Sequence, residues 1–440
     1  MAAVNKVMYA ELQKILKQQQ GLREDGKTAR TLTDVKHADV VHAAYARLEK
    51  LGFQMKNPLN ISDKHLNALV KDWHKANLAN KTMQDYRSRL SLFFKRIGKG
   101  PSFFKPLAAY LPEVDAKSLK VTSYAVTSKS WTELGINVVE TLEKADALDK
   151  SGKFGLILRM MLAFGLRRKE ALCCSPWKSG YTGHGWNVYP DESKGARPRF
   201  VPIQNPEQQR VLELALQKTK KNEKLRWETR RNGKAGDLDW AEDRFDQYMR
   251  KLGLTKKRLG GTGHGLRHEF AENAAIVAAF APPSLSGTGA EMPKDQLKMV
   301  RLALSEMLGH SRLDIMNAYL SKFPKTPIEM TQEEYAEIIY EGVAEMRRLR
   351  VITEVPAERV EDSERLVAVL KANGSDLTKM QAHALWHQFS DRMGTLWAEP
   401  LTDGGILAAI FVASTRHVRA QVKIAEKAAG SVVNILTAAL

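Results

Sequence analysis

The sequence predicts a mainly α-helical protein with one small β-hairpin, divided into an N-terminal helical domain, a larger second domain and a helical C-terminal extension. Three observations lead there. Apolar residues recur at three- and four-residue spacing along most of the chain, the signature of helices with one buried face. Only Trp186–Tyr189 and Arg199–Ile203, on either side of a turn through Asp191 to Gly195, read as paired strands. A chain of 440 residues exceeds what one core usually organises, and a proline-bearing stretch of broken periodicity after Gly98 offers a boundary.

Composition narrows the function. With 43% hydrophobic and 27% charged residues the chain has the make-up of a soluble globular protein. No apolar run approaches bilayer length and the first residues lack a signal-peptide core, so a cytoplasmic protein without a membrane partner is expected. The only cysteines, Cys173 and Cys174, are adjacent, which leaves no disulfide framework or thiolate zinc site and implies two small buried residues. The formal charge is +18, and residues 326–440 hold 12 Lys+Arg against 16 Asp+Glu, so residues 1–325 carry +22. A surplus of this kind suits a polyanion, because each phosphate neutralised by Lys or Arg releases condensed counterions.

In chain order, residues 1–30 read as a helix to about residue 20 and then a Gly/Lys/Arg-rich connector. Residues 31–100 form a helical domain on three stripes: Val40, Val41, Ala44, Leu48 and Leu51; Leu66, Leu69, Val70 and Trp73; and Met83, Tyr86, Leu90, Phe93, Phe94 and Ile97. Ser62 and Thr82 are placed to cap the second and third helices. The third also carries Lys81, Arg87, Arg89, Lys95 and Arg96, a basic face expected to lie along phosphates. Residues 101–128 read as an interdomain linker, partly ordered by Phe103, Phe104 and Tyr110.

The second domain, residues 129–325, contains a buried helix on Phe154, Ile157, Leu158, Met161 and Leu162, then FGLRRKEAL, then the hairpin with Lys194 near its tip. Asn205, Pro206 and Gln208 start a further helix with a capping-box pattern, and a Lys/Arg-rich polar segment from Lys218 to Lys234 follows. In TGHGLRHEF, His264 and Arg267 are three residues apart and leave one face of a helix. Residues 281–295 read as a loop insertion. Leu297, Val300, Leu304 and Met307 then mark a helix that Gly309 stops in the left-handed conformation, putting His310 on a turn. Leu313, Met316 and Leu320 mark a second helix, which carries Tyr319. Residues 326–440 read as a mildly acidic helical extension, an interaction module.

The order GLRxxE, hairpin lysine, HxxR, LGH and a tyrosine nine residues later resembles the tyrosine recombinase (phage integrase) family, as found in integrases of phages, genomic islands and conjugative elements. The resemblance implies a core-binding domain over residues 31–100 and a catalytic domain over 129–325. It also implies a site of Arg167, Lys194, His264, Arg267, His310 and Tyr319, with Glu170 as partner of Arg167 and Arg168 facing elsewhere. Tyr319 would be the nucleophile, Arg167 and Arg267 a phosphate clamp, Lys194 the general acid, His264 the general base and His310 a hydrogen-bond donor to the phosphate. Guanidinium groups suit a pentacoordinate phosphorus because they meet its oxygens in pairs, and a phenol becomes nucleophilic once it loses its proton.

Because a 3′-phosphotyrosyl bond conserves the ester energy, no cofactor, metal or nucleotide is expected. The partners implied are double-stranded DNA attachment sites, a homotetramer formed on DNA, and accessory directionality or bending proteins, in a nucleoid-associated protein. Two alternatives stay open on the same residues: a type IB topoisomerase or telomere resolvase sharing the site, and a DNA-binding regulator without turnover.

Overall fold

A computed structural model describes residues 6–21, 31–180, 182–193, 197–204, 206–230, 232–278, 282–285, 294–310 and 312–322. It divides into two compact units between Thr122 and Ser123. The described fold is mainly α-helical with a single two-stranded antiparallel sheet among these residues, in agreement with the predicted class. No described helix is long and apolar enough to cross a membrane.

Among the described residues, four α-helices build the first unit: α1 (Lys6–Gln18), α2 (Thr31–Lys50), α3 (Asp63–Lys75) and α4 (Asn80–Arg96). Their predicted stripes converge, with Val41, Ala44 and Leu48 of α2, Leu66, Leu69, Val70 and Trp73 of α3, and Met83, Leu90, Phe93 and Phe94 of α4 all buried in one cluster. Ser62 caps α3, and its hydroxyl lies 2.8 Å from His65 Nδ1. Thr82 is not a cap. The helix starts at Asn80 after Ala79, and the Asn80 side chain is occupied by the Ser118 carbonyl at 2.7 Å. The stretch 101–128, expected to be a linker, supplies Phe104, Leu107, Tyr110, Leu111 and Leu119 to this core. The aromatic residues that make it look partly ordered therefore belong to the first unit, and the chain leaves it only after Thr122.

The second unit is organised around α6 (Lys153–Phe164), whose ten residues from Phe154 to Phe164 other than Arg159 are all buried. Around it pack α5 (Val138–Leu148), α9 (Pro206–Lys218) and α11 (Gly263–Val277). The helix α5 was not read from the sequence; it is capped by the Asn137 side chain, which accepts from Glu140 N at 3.0 Å. Between α6 and α9 lie α7 (Arg168–Cys173), α8 (Pro176–Ser179) and the hairpin of β1 (Gly185–Val188) and β2 (Arg199–Pro202), with Trp186 opposite Val201 and Val188 opposite Arg199. The helix α10 (Leu238–Lys251) packs against α7, and α12 (Lys294–Met307) against β2. The expected second helix around Tyr319 is shorter than its apolar pattern suggests: a 3-10 turn over Leu313–Met316 and one turn of helix, α13 (Asn317–Leu320). Cys173 and Cys174 are free thiols, and Cys174 is buried. Residues 281 and 286–293 of the insertion, and 326–440, lie outside the described residues.

Candidate active site

The first arginine is placed by the end of α6. Gly165 closes that helix at φ +58°, and an added Cβ would lie 2.5 Å from the Phe270 ring, so only glycine fits. The chain then extends through Arg167 into α7. Glu170 reaches back to this entry: its Oε2 accepts from the Arg167 backbone N at 2.8 Å and its Oε1 from the Arg167 guanidinium at 2.7 Å. Arg168 points elsewhere, into ion pairs with Glu242 at 2.6 Å and Asp246 at 2.8 Å. Glu170 is 1% exposed and also accepts both terminal nitrogens of Arg199, at 3.0 and 2.7 Å.

Arg267 is completely buried on α11. Its Nε donates to the Tyr319 hydroxyl at 3.0 Å, one terminal nitrogen donates to the Gly165 carbonyl, and the other donates to the Leu308 carbonyl and lies 3.4 Å from His310 Nε2. Arg167 meets the same Leu308 carbonyl at 3.3 Å. That carbonyl is available because α12 ends there. Gly309 adopts φ +64°, its N–H donates to Glu306 O at 2.7 Å, and His310 N donates to Ser305 O at 2.8 Å. The left-handed stop predicted at Gly309 is thus what sets His310 beside the arginines.

Tyr319 is 5% exposed and sits among three imidazoles, with ring centroids 5.7 Å from His264, 4.7 Å from His268 and 5.5 Å from His310. Its short helix is tied on both sides. Ala125 N donates to the Asn317 carbonyl at 2.8 Å, and the Ser321 hydroxyl donates to the Ala125 carbonyl at 2.6 Å. Ser321 itself holds φ +69° and ψ −175°, a region almost reserved for glycine, so the chain bends under strain just after the tyrosine turn.

Electrostatics follow from this crowding. Burial lowers the pKa of His268 to about 3, with His264, Lys129 and Arg267 adding to the effect. Burial and then Arg267, Arg167 and Arg199 lower that of half-buried His310 to about 3. His264 is shifted downward by the same order of causes, desolvation and then Arg267, Arg167 and Lys129, although its surface remains open to solvent, which tempers the first of them. All three imidazoles are neutral at physiological pH. Burial lowers Arg267 to about 10, so it stays a cation. Burial raises Glu170, but hydrogen bonds and charge from Arg199, then Arg267 and Arg167, outweigh it and leave its pKa at about 2.

Of the six residues predicted for the site, Arg167, His264, Arg267, His310 and Tyr319 are brought together, and Lys194 lies outside the described residues, between Ser193 and the start of β2. On α4, Arg87 is directed inward: it donates to the Lys105 and Phe104 carbonyls at 2.6 and 2.9 Å and lies over the Phe104 ring. Arg89 pairs with Asp85 at 2.8 Å, Arg96 reaches the Gln19 carbonyl at 3.5 Å, and Lys81 and Lys95 are exposed. Two residues of the pocket were not singled out from the sequence, His268 and Arg199. His268 is four residues beyond His264, so helical spacing alone places it on the same face. Nothing local marks Arg199, because its partner lies 29 residues away.

No family model and no curated protein matches the chain. Among solved structures, the chain is similar to the Tn1549 transposon integrase in complex with transposon right end DNA, at 15% identity and TM-score 0.46, covering 77% of this chain and 99% of that one. It is similar to a lambda integrase dimer bound to a COC′ core site, at 14% identity and TM-score 0.46, covering 73% of this chain and 80% of that one. A third is the XerA recombinase, at 15% identity and TM-score 0.27, covering 74% of this chain and 98% of that one. Its solved neighbours are integrases and a recombinase. Likeness at these values decides nothing about chemistry, which rests on the side chains of the pocket.

Proposed function

We propose that this chain is a site-specific tyrosine recombinase, an integrase that cuts and rejoins DNA strands through a covalent 3′-phosphotyrosyl intermediate. The observation that carries the reading is the contact of Arg267 Nε with the Tyr319 hydroxyl, inside a pocket where Arg167 and Arg267 share one carbonyl and neutral imidazoles line the ring. Two guanidiniums favour the extra negative charge of a pentacoordinate phosphorus.

In the proposed step the Tyr319 oxygen bonds to phosphorus as the bond from phosphorus to the 5′-oxygen breaks. The phenolic proton passes to neutral His264, and the leaving oxygen takes a proton from Lys194. Arg167, with 26% of its side chain exposed, is the arginine with direct access to the phosphate. Arg267 is fully covered and acts through its charge and through the tyrosine oxygen. His310 offers its ring to a non-bridging oxygen. Rejoining runs the same steps backward with a second strand's 5′-hydroxyl, which requires no external energy source. Exposed Lys81 and Lys95 of α4 are proposed to contact the duplex backbone, with double-stranded attachment sites as the substrate and a tetramer as the exchanging assembly.

The test is incubation with nicked half-site DNA cut from the ends of the genetic element that carries the gene. Wild-type protein is expected to form a denaturant-resistant adduct, and Tyr319→Phe to form none. An adduct that persists in Tyr319→Phe overturns the assignment of the nucleophile. Relaxation of plasmids without any attachment site would instead identify a topoisomerase.

A further inference from the structure

Arg199 is outside the set of groups assigned to the reaction, yet it is one of the most completely buried charges in the second unit, with 3% of its side chain exposed. It enters from β2, at the end of the hairpin opposite Val188, and meets Glu170 with a two-pronged contact at 3.0 and 2.7 Å. The same two carboxylate oxygens accept Arg167, one from its guanidinium and one from its backbone N. Each oxygen of Glu170 therefore serves one bond to each arginine. The aliphatic part of Arg199 also lies against the turn before His310: a Cβ added at Gly309 would come 3.0 Å from Arg199 Cδ.

The charges of this cluster decide what Arg167 can do. A carboxylate held by one arginine makes a neutral pair, and the guanidinium in it has little net attraction left for a phosphate. A carboxylate held by two arginines leaves one positive charge over. Resting on the recombinase reading above, we propose that Arg199 is a positioning residue that balances Glu170, so that Arg167 is held in place by the carboxylate while its positive charge remains available to the scissile phosphate. Arg199 does not touch the substrate; it works through Glu170 and, by backing Gly309, through the seat of His310.

Replacing Arg199 by Met removes the balancing charge, and the cluster of Arg167, Arg199 and Glu170 goes from net +1 to zero. Adduct formation on half-site DNA is expected to fall on the order of 100-fold, the scale of losing one electrostatic contact to a transition state, with half-site binding retained. On half-site DNA whose scissile phosphate is a neutral methylphosphonate, the same variant is expected to lose far less, because the charge it lacks is no longer needed. Arg199→Met leaves a buried carboxylate with one cation, so the second variant is Arg199→Met combined with Glu170→Gln, which returns the cluster to +1 without an unpaired buried charge. That double variant is expected to recover adduct formation on ordinary DNA and the wild-type preference for phosphate over methylphosphonate.

Equal loss on both substrates by Arg199→Met, or a folded double variant as depressed as the single one, overturns the role of Arg199. Failure of the wild-type protein to form any Tyr319-dependent adduct is a different result, and overturns the recombinase reading itself.

Discussion

At the scale of single residues, the site consists of charges that stabilise one another only as a set. Glu170 is 1% exposed and takes four hydrogen bonds from two arginines. Removing its carboxylate strands buried Arg199, so Glu170→Ala is expected to destabilise the second unit by about 3–5 kcal/mol, read by denaturant or thermal unfolding. The histidines make a second prediction. His268 and His310 have folded pKa values near 3, below the ordinary value of about 6.5, so the unfolded chain binds more protons between those limits. Their contribution to stability is present above pH 6.5 and lost as pH falls toward 3. The unfolding midpoint should drop on acidification through that window, and His268→Asn should flatten the slope; a midpoint indifferent to pH from 7 to 4 would contradict it. These residues also mark what the sequence could reveal. Tyr319, Arg267 and His310 were legible because each stands in a short pattern with neighbours at fixed spacing. Arg87 looked like a phosphate contact because no local pattern discloses that the Phe104 and Lys105 carbonyls return to it.

At the scale of elements, helix ends place the chemistry. The stop at Gly309 combines a left-handed φ of +64° with a close approach to Arg199, so the backbone favours glycine there and an added Cβ, 3.0 Å from Arg199 Cδ, would be crowded. Gly309→Ala should cost about 1–2 kcal/mol from the backbone alone and displace His310, lowering adduct formation more than it lowers the unfolding midpoint. The buried faces of α3, α4 and α6 were readable because a helical period samples the same core every three or four residues. Where the period breaks, reading fails. The stretch from Pro101 to Thr122 looks like a connector in sequence, yet Phe104, Tyr110 and Leu119 find partners in the first unit. The turn of helix bearing Tyr319 looked longer because the apolar spacing continues while the backbone switches from a 3-10 turn to one α-turn and then to the strained Ser321.

At the scale of the whole molecule, charge is the feature that composition exposes first. Residues 1–325 carry a surplus of +22, and the binding of a duplex on that surface should be strongly salt-dependent. For a footprint of 6–10 phosphates, affinity for half-site DNA should fall by roughly 10³–10⁵ between 50 and 200 mM salt, measured by titration at fixed temperature. Neutralising Lys81 and Lys95 together should reduce the slope of log affinity against log salt by about two. The division of the chain was only partly legible: the N-terminal helices and the second core were foreseeable, whereas the boundary at Thr122 depends on contacts distant in sequence.

Tyr319 is 95% covered, ringed by imidazoles and bonded to Arg267, while the reaction proposed for it needs a bulky polymer against its oxygen. On the proposed reaction, the turn that carries Tyr319 is anchored to Ala125 at both ends, through the Asn317 carbonyl and the Ser321 hydroxyl, so the backbone at Ala125 helps fix how deep that oxygen lies.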